Sequence, residues 1–124
     1  MADHVIRYVL RLVRATRVAQ DGVAAANAPK AIADYVSWGA GPRASQFLTL
    51  AAKAHALLAG APHVTPDDVR AVVRPVLRHR LQLNFNAQAD GVTTERVIEE
   101  LLNAVPVEDG NAPGARELER LVKP

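Results

Sequence analysis

Pro42 and Pro66 each stand immediately ahead of an apolar run that repeats every three and four residues. Proline fits the first position of a helix, because the N–H it lacks would have no partner there and its fixed φ already suits the helix. Two such starts commit the middle of the chain to two helices, around which the rest must pack. From Pro42 onward, Phe47, Leu50, Ala51, Ala54, Leu57 and Leu58 keep the helical rhythm and are expected to form the inward face, with Gly60 and Pro62 as the stop. At the second start Thr65 is the expected N-cap. Asp67 and Asp68 fall at the positive end of that helix, Asp68 as a shorter stand-in for the capping-box glutamate. Val69, Val72, Val73, Val76 and Leu77 predict its inner face. Pro75 is expected to kink it near Ala71 without ending it, since the rhythm resumes beyond. Arg78, His79 and Arg80 crowd the C-terminal turn, where cations are favoured.

The flanking segments are also mostly helical. Residues 3–16 read as an amphipathic helix with Val5, Val9, Leu12 and Val13 inward, Ile6 and Leu10 widening the stripe, and Arg7, Arg11 and Arg14 on another face. Asp21-Gly22 marks a turn. A short helix is expected from Pro29 to Val36, burying Ile32, Tyr35 and Val36 and ended by Gly39 and Gly41. Leu81, Leu83 and Phe85 alternate, which predicts an extended segment packed along one side, and "NAQADGVTT" reads as a turn or loop. Thr93 or Thr94 then caps a helix carrying Val97, Ile98, Leu101, Leu102 and Val105, closed by Pro106. Only 4% of residues are aromatic, so Ala, Val and Leu must build the core, which favours closely packed helices. The expected fold is all-α: a small bundle of four main helices with one or two short ones. Residues 1–106 form the domain, and 107–124 a linker with a short C-terminal amphipathic segment.

Composition excludes several functions. The chain has 124 residues, no cysteine and a net charge of +2. That rules out disulfides, thiolate catalysis and Cys-ligated zinc, and suits a cytoplasmic protein. No apolar run reaches the roughly 20 residues that span a bilayer, and the N-terminus lacks the features of a signal peptide. GxxxxGK[ST], GxGxxG and HExxH are all missing. His4, His55, His63 and His79 lack metal-ligand spacing, so no metal site is expected. Asp67-Asp68 and Glu99-Glu100 fit capping and solvation better than acid–base catalysis.

One residue sits against local physics. Arg43 falls in the first turn after Gly41-Pro42, where the helix dipole is positive and a cation loses roughly 0.3–1 kcal/mol. It could be a solvated or paired surface residue, part of a basic surface for nucleic acid, or a residue aimed at a ligand phosphate beside the free N–H groups of the helix start. Arg70, Arg74 and Arg78, at four-residue spacing, and the Arg7-Arg11-Arg14 stripe keep a non-enzymatic helical module for nucleic acid or protein open as the alternative. The chain lacks the aromatic interleaving of single-strand binders.

The ordered series "LVRATR", "GAGPRAS", "AAKAHALLAG", "VTPDDVRAVV" and "VLRHRL" resembles the C-terminal lid of MoxR-type AAA+ ATPases over residues 3–106. In that family a Gly-x-Ser-Pro-Arg-Ala signature carries the sensor-2 arginine. The resemblance implies that Gly41, Pro42, Arg43 and Ala44 lie at the nucleotide, with Arg43 reaching the γ-phosphate of ATP on an upstream P-loop domain. Gly41 departs from the usual serine, which removes a side-chain cap. The resemblance further implies a parent that forms rings, usually hexamers, hydrolyses ATP with Mg²⁺, and acts as a chaperone-like remodeller, often with von Willebrand A domain partners. Walker A and Walker B would lie upstream, so this chain alone is not expected to hydrolyse or hold ATP. Trp38 could shape the adenine pocket, but core packing is the expectation.

Overall fold

The computed structural model describes residues 1–18 and 28–107. In chain order it contains α1 (Asp3–Ala15), α2 (Lys30–Tyr35), β1 (Val36–Trp38), α3 (Pro42–Leu58), α4 (Pro66–Leu77), β2 (Gln82–Leu83), α5 (Phe85–Asp90) and α6 (Thr94–Ala104). The all-α expectation holds: α1, α3, α4 and α6 are the main helices, and α2 and α5 are short. The Asp21-Gly22 turn and the amphipathic segment within 107–124 lie outside the described residues.

Helix α4 follows its local rules at its start and along its inner face. Thr65 is the N-cap in extended backbone and Pro66 the first helical residue. The Asp68 carboxylate accepts the Thr65 backbone N–H at 2.8 Å and the Thr65 hydroxyl at 3.1 Å. Asp68 therefore does serve as the capping-box acid. Val69, Val73 and Leu77 are fully buried, while Val72 and Val76 pack partly against the core. The helix continues past Pro75 to Leu77. Facing it, α1 contributes Val5, Val9, Leu12 and Val13 as expected, together with Tyr8. Ile6 stays 39% exposed instead of widening the stripe. From α6 come Val97, Ile98, Leu101 and Leu102, with Thr93 as the cap whose hydroxyl accepts the Arg96 N–H at 3.3 Å.

Helix α3 turns the other way from the expectation. Its buried residues are Ala44, Leu48, Ala52 and Ala56. Phe47, Leu50, Leu57 and Leu58 face outward, with Leu57 and Leu58 78% and 89% exposed, and Ala54 is exposed with them. Both faces of this helix are apolar, so periodicity alone could not choose between them. Small alanines at four-residue spacing let α3 approach α4 closely, and that contact takes the inner side.

Two further differences concern the strands. β1 and β2 pair antiparallel, Val36 opposite Leu83 and Trp38 opposite Gln82, so a strand rather than the glycines ends α2. Of the "LQLNFN" segment only Leu81 is buried, and Phe85 is 79% exposed because it opens α5. The stretch expected to be a loop is that helix. Asn84 caps it by accepting the Ala87 N–H at 3.1 Å, and Gly91 closes it with φ 69°.

Candidate functional site

The Arg43 site is built from the start of α3 outward. Gly41 is the N-cap with φ −79° and ψ −179°, ordinary extended backbone, and offers no side-chain cap. Pro42 follows, and no acidic residue occupies the first turn. Pro42 has no N–H and the Ala44 N–H donates to the Gly41 carbonyl at 3.0 Å, so the positive end of the helix is offered to an anion through the Arg43 amide. Arg43 is exposed, and among the described residues no carboxylate lies within ion-pair reach of it. Ala44 is buried on the opposite side and anchors the turn to the core. Gly41, Pro42, Arg43 and Ala44 thus form one corner, with three of the four exposed.

The loop leading into this corner is held from two directions. On one side β1 is bound to β2, and the Ser37 hydroxyl donates to the Gln82 carbonyl at 3.0 Å. On the other side Ala40 N–H donates to the Thr16 hydroxyl oxygen at 2.9 Å, in a fully buried contact at the end of α1. Trp38 is 71% exposed. The core packing expected for it is therefore incorrect. Strand alternation alone would place Val36 and Trp38 on one face, but the register shifts between them, so Val36 turns in and Trp38 out.

One turn beyond Arg43, Arg80 lies over the Phe47 ring, 4.4 Å from its centroid, and its Nη1 donates to the Val76 carbonyl at 2.8 Å. The expected basic stripe on α4 behaves differently. Arg70 Nη1 donates to the Tyr8 hydroxyl at 3.0 Å and to the Leu102 carbonyl at 3.2 Å, tying three helices together. Arg74 and Arg78 converge on Glu95, Arg74 at 3.9 Å and Arg78 through its Nε. On α1, Arg11 lies near the Tyr8 ring and donates to the Pro106 and Val107 carbonyls at 3.0 and 2.8 Å. Four of the stripe arginines are thereby engaged within the chain, which weakens a phosphate-tracking surface.

Of the carboxylates expected to be structural, Asp68 caps α4 and Glu100 lies 3.7 Å from Arg96. Asp68 is held below its ordinary range, first by the Thr65 backbone N–H and then by His55, whose Nδ1 lies 2.8 Å from Asp68 Oδ1; desolvation opposes them. Among the described residues no three His, Asp or Glu side chains converge on a possible metal position. No described helix is long and apolar enough to cross a membrane.

Known proteins share this helical bundle. A family model described as the AAA lid domain matches residues 28–101. This chain belongs to that family. The lid is 40% identical over 108 residues to Chaperone MoxR1 of Mycobacterium tuberculosis, covering 86% of the lid and 27% of that protein. It is 43% identical over 79 residues to Protein MoxR of Paracoccus denitrificans, covering 63% of the lid and 23% of that protein. A crystal structure from Cytophaga hutchinsonii, of a protein assigned as an ATPase, superposes with a TM-score of 0.74 at 32% identity, covering 87% of the lid and 31% of that chain. These matches make it a lid of the MoxR-family AAA+ kind, and it spans about a quarter of the length of the curated relatives.

Sequence reasoning found Arg43 through its conflict with the helix dipole but missed Thr16. Nothing in "LVRATR" singles out that hydroxyl, because its partner lies 24 residues away in sequence.

Proposed function

We propose that the lid closes over ATP bound on an upstream P-loop domain and senses the γ-phosphate through Arg43. The observation that carries this reading is an exposed arginine at the positive end of α3, with no carboxylate in reach among the described residues and a loop behind it fixed to the core. These groups suit a phosphate: the Arg43 amide and guanidinium offer donors and positive charge, and no first-turn acid opposes an anion. ATP would supply the phosphoryl group; Arg43 binds its terminal oxygens, and Gly41, Pro42 and Ala44 set the approach of the backbone. Mg²⁺ would be held outside this chain, as would Walker A and Walker B, so hydrolysis belongs to the parent.

The residues before α1 act as the hinge. Closure places Arg43 on the phosphate, and loss of that phosphate removes the contact favouring the closed state. Residues 1–106 are the lid proper and 107–124 a linker with a terminal segment. The outward residues of α3 support membership of a larger assembly: Phe47, Leu50, Leu57 and Leu58 would lie under a core domain in a ring. The parent acts as a cytoplasmic, chaperone-like remodeller in a homo-oligomeric ring, with a hexamer and a von Willebrand A domain partner as the specific forms to look for.

The test is Arg43→Ala in the full-length ATPase. A fall in kcat of about a hundredfold or more is expected, as for loss of one preorganised donor to transition-state charge. In the 124-residue chain the same change should leave the unfolding midpoint unchanged or slightly raised, because a cation leaves the positive end of a helix. Unchanged hydrolysis and ring assembly would overturn the sensor role.

A further inference from the structure

The loop that carries Arg43 meets the end of α1 in an unusually tight contact. Thr16 is fully buried, and its hydroxyl does two jobs: it donates to the Val13 carbonyl at 2.6 Å and accepts the Ala40 N–H at 2.9 Å. Both capacities that a hydroxyl can use in a dry site are therefore engaged. Beside this bond, Gly39 presses against the same residue. A Cβ at position 39 would stand 2.2 Å from the Thr16 carbonyl oxygen, 2.6 Å from its carbon and 2.7 Å from the Arg17 Cα. All three are backbone atoms, so no side-chain rotation could relieve the clash. Ala40 is itself buried, and Arg43 follows three residues later.

We propose that Thr16 is a positioning residue for Arg43: with Gly39 and Ala40 it locks the 38–42 loop to the end of α1, so that α1 and the arginine move as one body. α1 is also the helix that follows the upstream connection, which makes this lock the route by which a swing of the lid becomes a displacement of Arg43. The functional part rests on the sensor reading of Arg43; the lock itself rests on the Thr16 contacts. A flexible surface arginine would lose rotational freedom on meeting its anion, whereas a fixed loop start lowers that cost.

Thr16→Val keeps the shape of the side chain and removes both hydrogen bonds, while Thr16→Ser keeps the hydroxyl. In the full-length ATPase, Thr16→Val should lower kcat by about ten- to a hundredfold, the scale of a small misplacement of a catalytic group. Thr16→Ser should restore it, and Gly39→Ala should imitate the valine change. In an Arg43→Ala background, Thr16→Val should cost nothing further. A second readout does not depend on hydrolysis. Trp38 is the one tryptophan of the 124-residue chain, and its fluorescence anisotropy should fall with Thr16→Val but not with Thr16→Ser, at unchanged helical circular dichroism. Unchanged anisotropy overturns the lock. Equal losses with and without Arg43 overturn the positioning role. If Arg43→Ala is silent while Thr16→Val still loosens Trp38, the lock stands and the sensor reading falls.

Discussion

Helices α3 and α4 both begin with proline after a residue in extended backbone, and they pack against each other, yet they treat their surroundings in opposite ways. α4 has an acidic first turn, a reciprocal cap, an apolar inner face and arginines bound to groups within the chain. α3 has an arginine in the first turn, no side-chain cap, and its largest side chains on the outside. Helix α4 satisfies its needs inside this domain. Helix α3 leaves its charge and its apolar face exposed, which on the sensor reading is where binding competes with local stability.

The largest effect that tests this contrast lies within α3 itself. Leu48→Ala should cost about 2–5 kcal/mol, since Leu48 is fully buried. Leu57→Ala or Leu58→Ala, the same change on the same helix, should cost no more than about 0.5 kcal/mol. Urea unfolding of the 124-residue chain measures both. Equal losses would mean that the outer face is covered within the domain, and the contrast would break.

Next in size is the cap of α4. Thr65→Ala should cost about 1 kcal/mol at neutral pH. The Asp68 contribution carries a pH signature. Its folded carboxyl titrates below the unfolded value, so its stabilisation is complete above the ordinary carboxylate range and is lost as pH falls through the folded value. Asp68→Asn should therefore lower the thermal midpoint at pH 7, and the gap from the parent chain should close on acidification. A gap that stays constant down to strongly acid pH would remove the charged cap from the account.

How far the sequence discloses this arrangement follows from the same contrast. The start, cap and inner face of α4 were legible because each rests on residues within one or two turns. The start of α3 was legible for the same reason, and Arg43 stood out because it breaks a local rule. The face of α3 was not: it presents apolar residues all round, and the choice depends on which side can meet α4 closely. α5 was missed although Asn84 and Gly91 are ordinary helix ends, because its interior has little apolar rhythm to connect them. Trp38 was misplaced because a register irregularity, invisible in a three-residue strand, turned it outward. Thr16 and Gly39 matter through a contact made only when α1 and the β1–α3 loop come together.

A smaller effect separates the two sets of arginines. Glu95→Gln should cost up to about 1 kcal/mol, the range for exposed ion pairs, because Arg74 and Arg78 share that one carboxylate. If those arginines form a phosphate surface, releasing them should also produce salt-sensitive binding to duplex DNA. The expected outcome is a small loss of stability with no DNA binding at micromolar concentration, read by fluorescence anisotropy of a labelled duplex.

The smallest effect asks whether the missing cap of α3 is needed for anything. A Cβ at Gly41 would meet nothing within 4 Å, and the backbone there is of a kind any residue adopts. Gly41→Ser should therefore raise stability by about 0.3–1 kcal/mol, from a new cap and a less flexible unfolded chain. Its neighbour two residues earlier allows no such change, since Gly39→Ala drives a carbon into the Thr16 carbonyl. The pair divides the loop into a free position and a fixed one. On the sensor reading, Gly41→Ser in the full-length ATPase should leave hydrolysis near the parent rate, because a side chain there enters open space and alters neither Arg43 nor the Thr16 contact. A large fall in kcat would instead mean that the approach to the phosphate needs bare backbone at Gly41, and the weakness of this cap would then be part of the site.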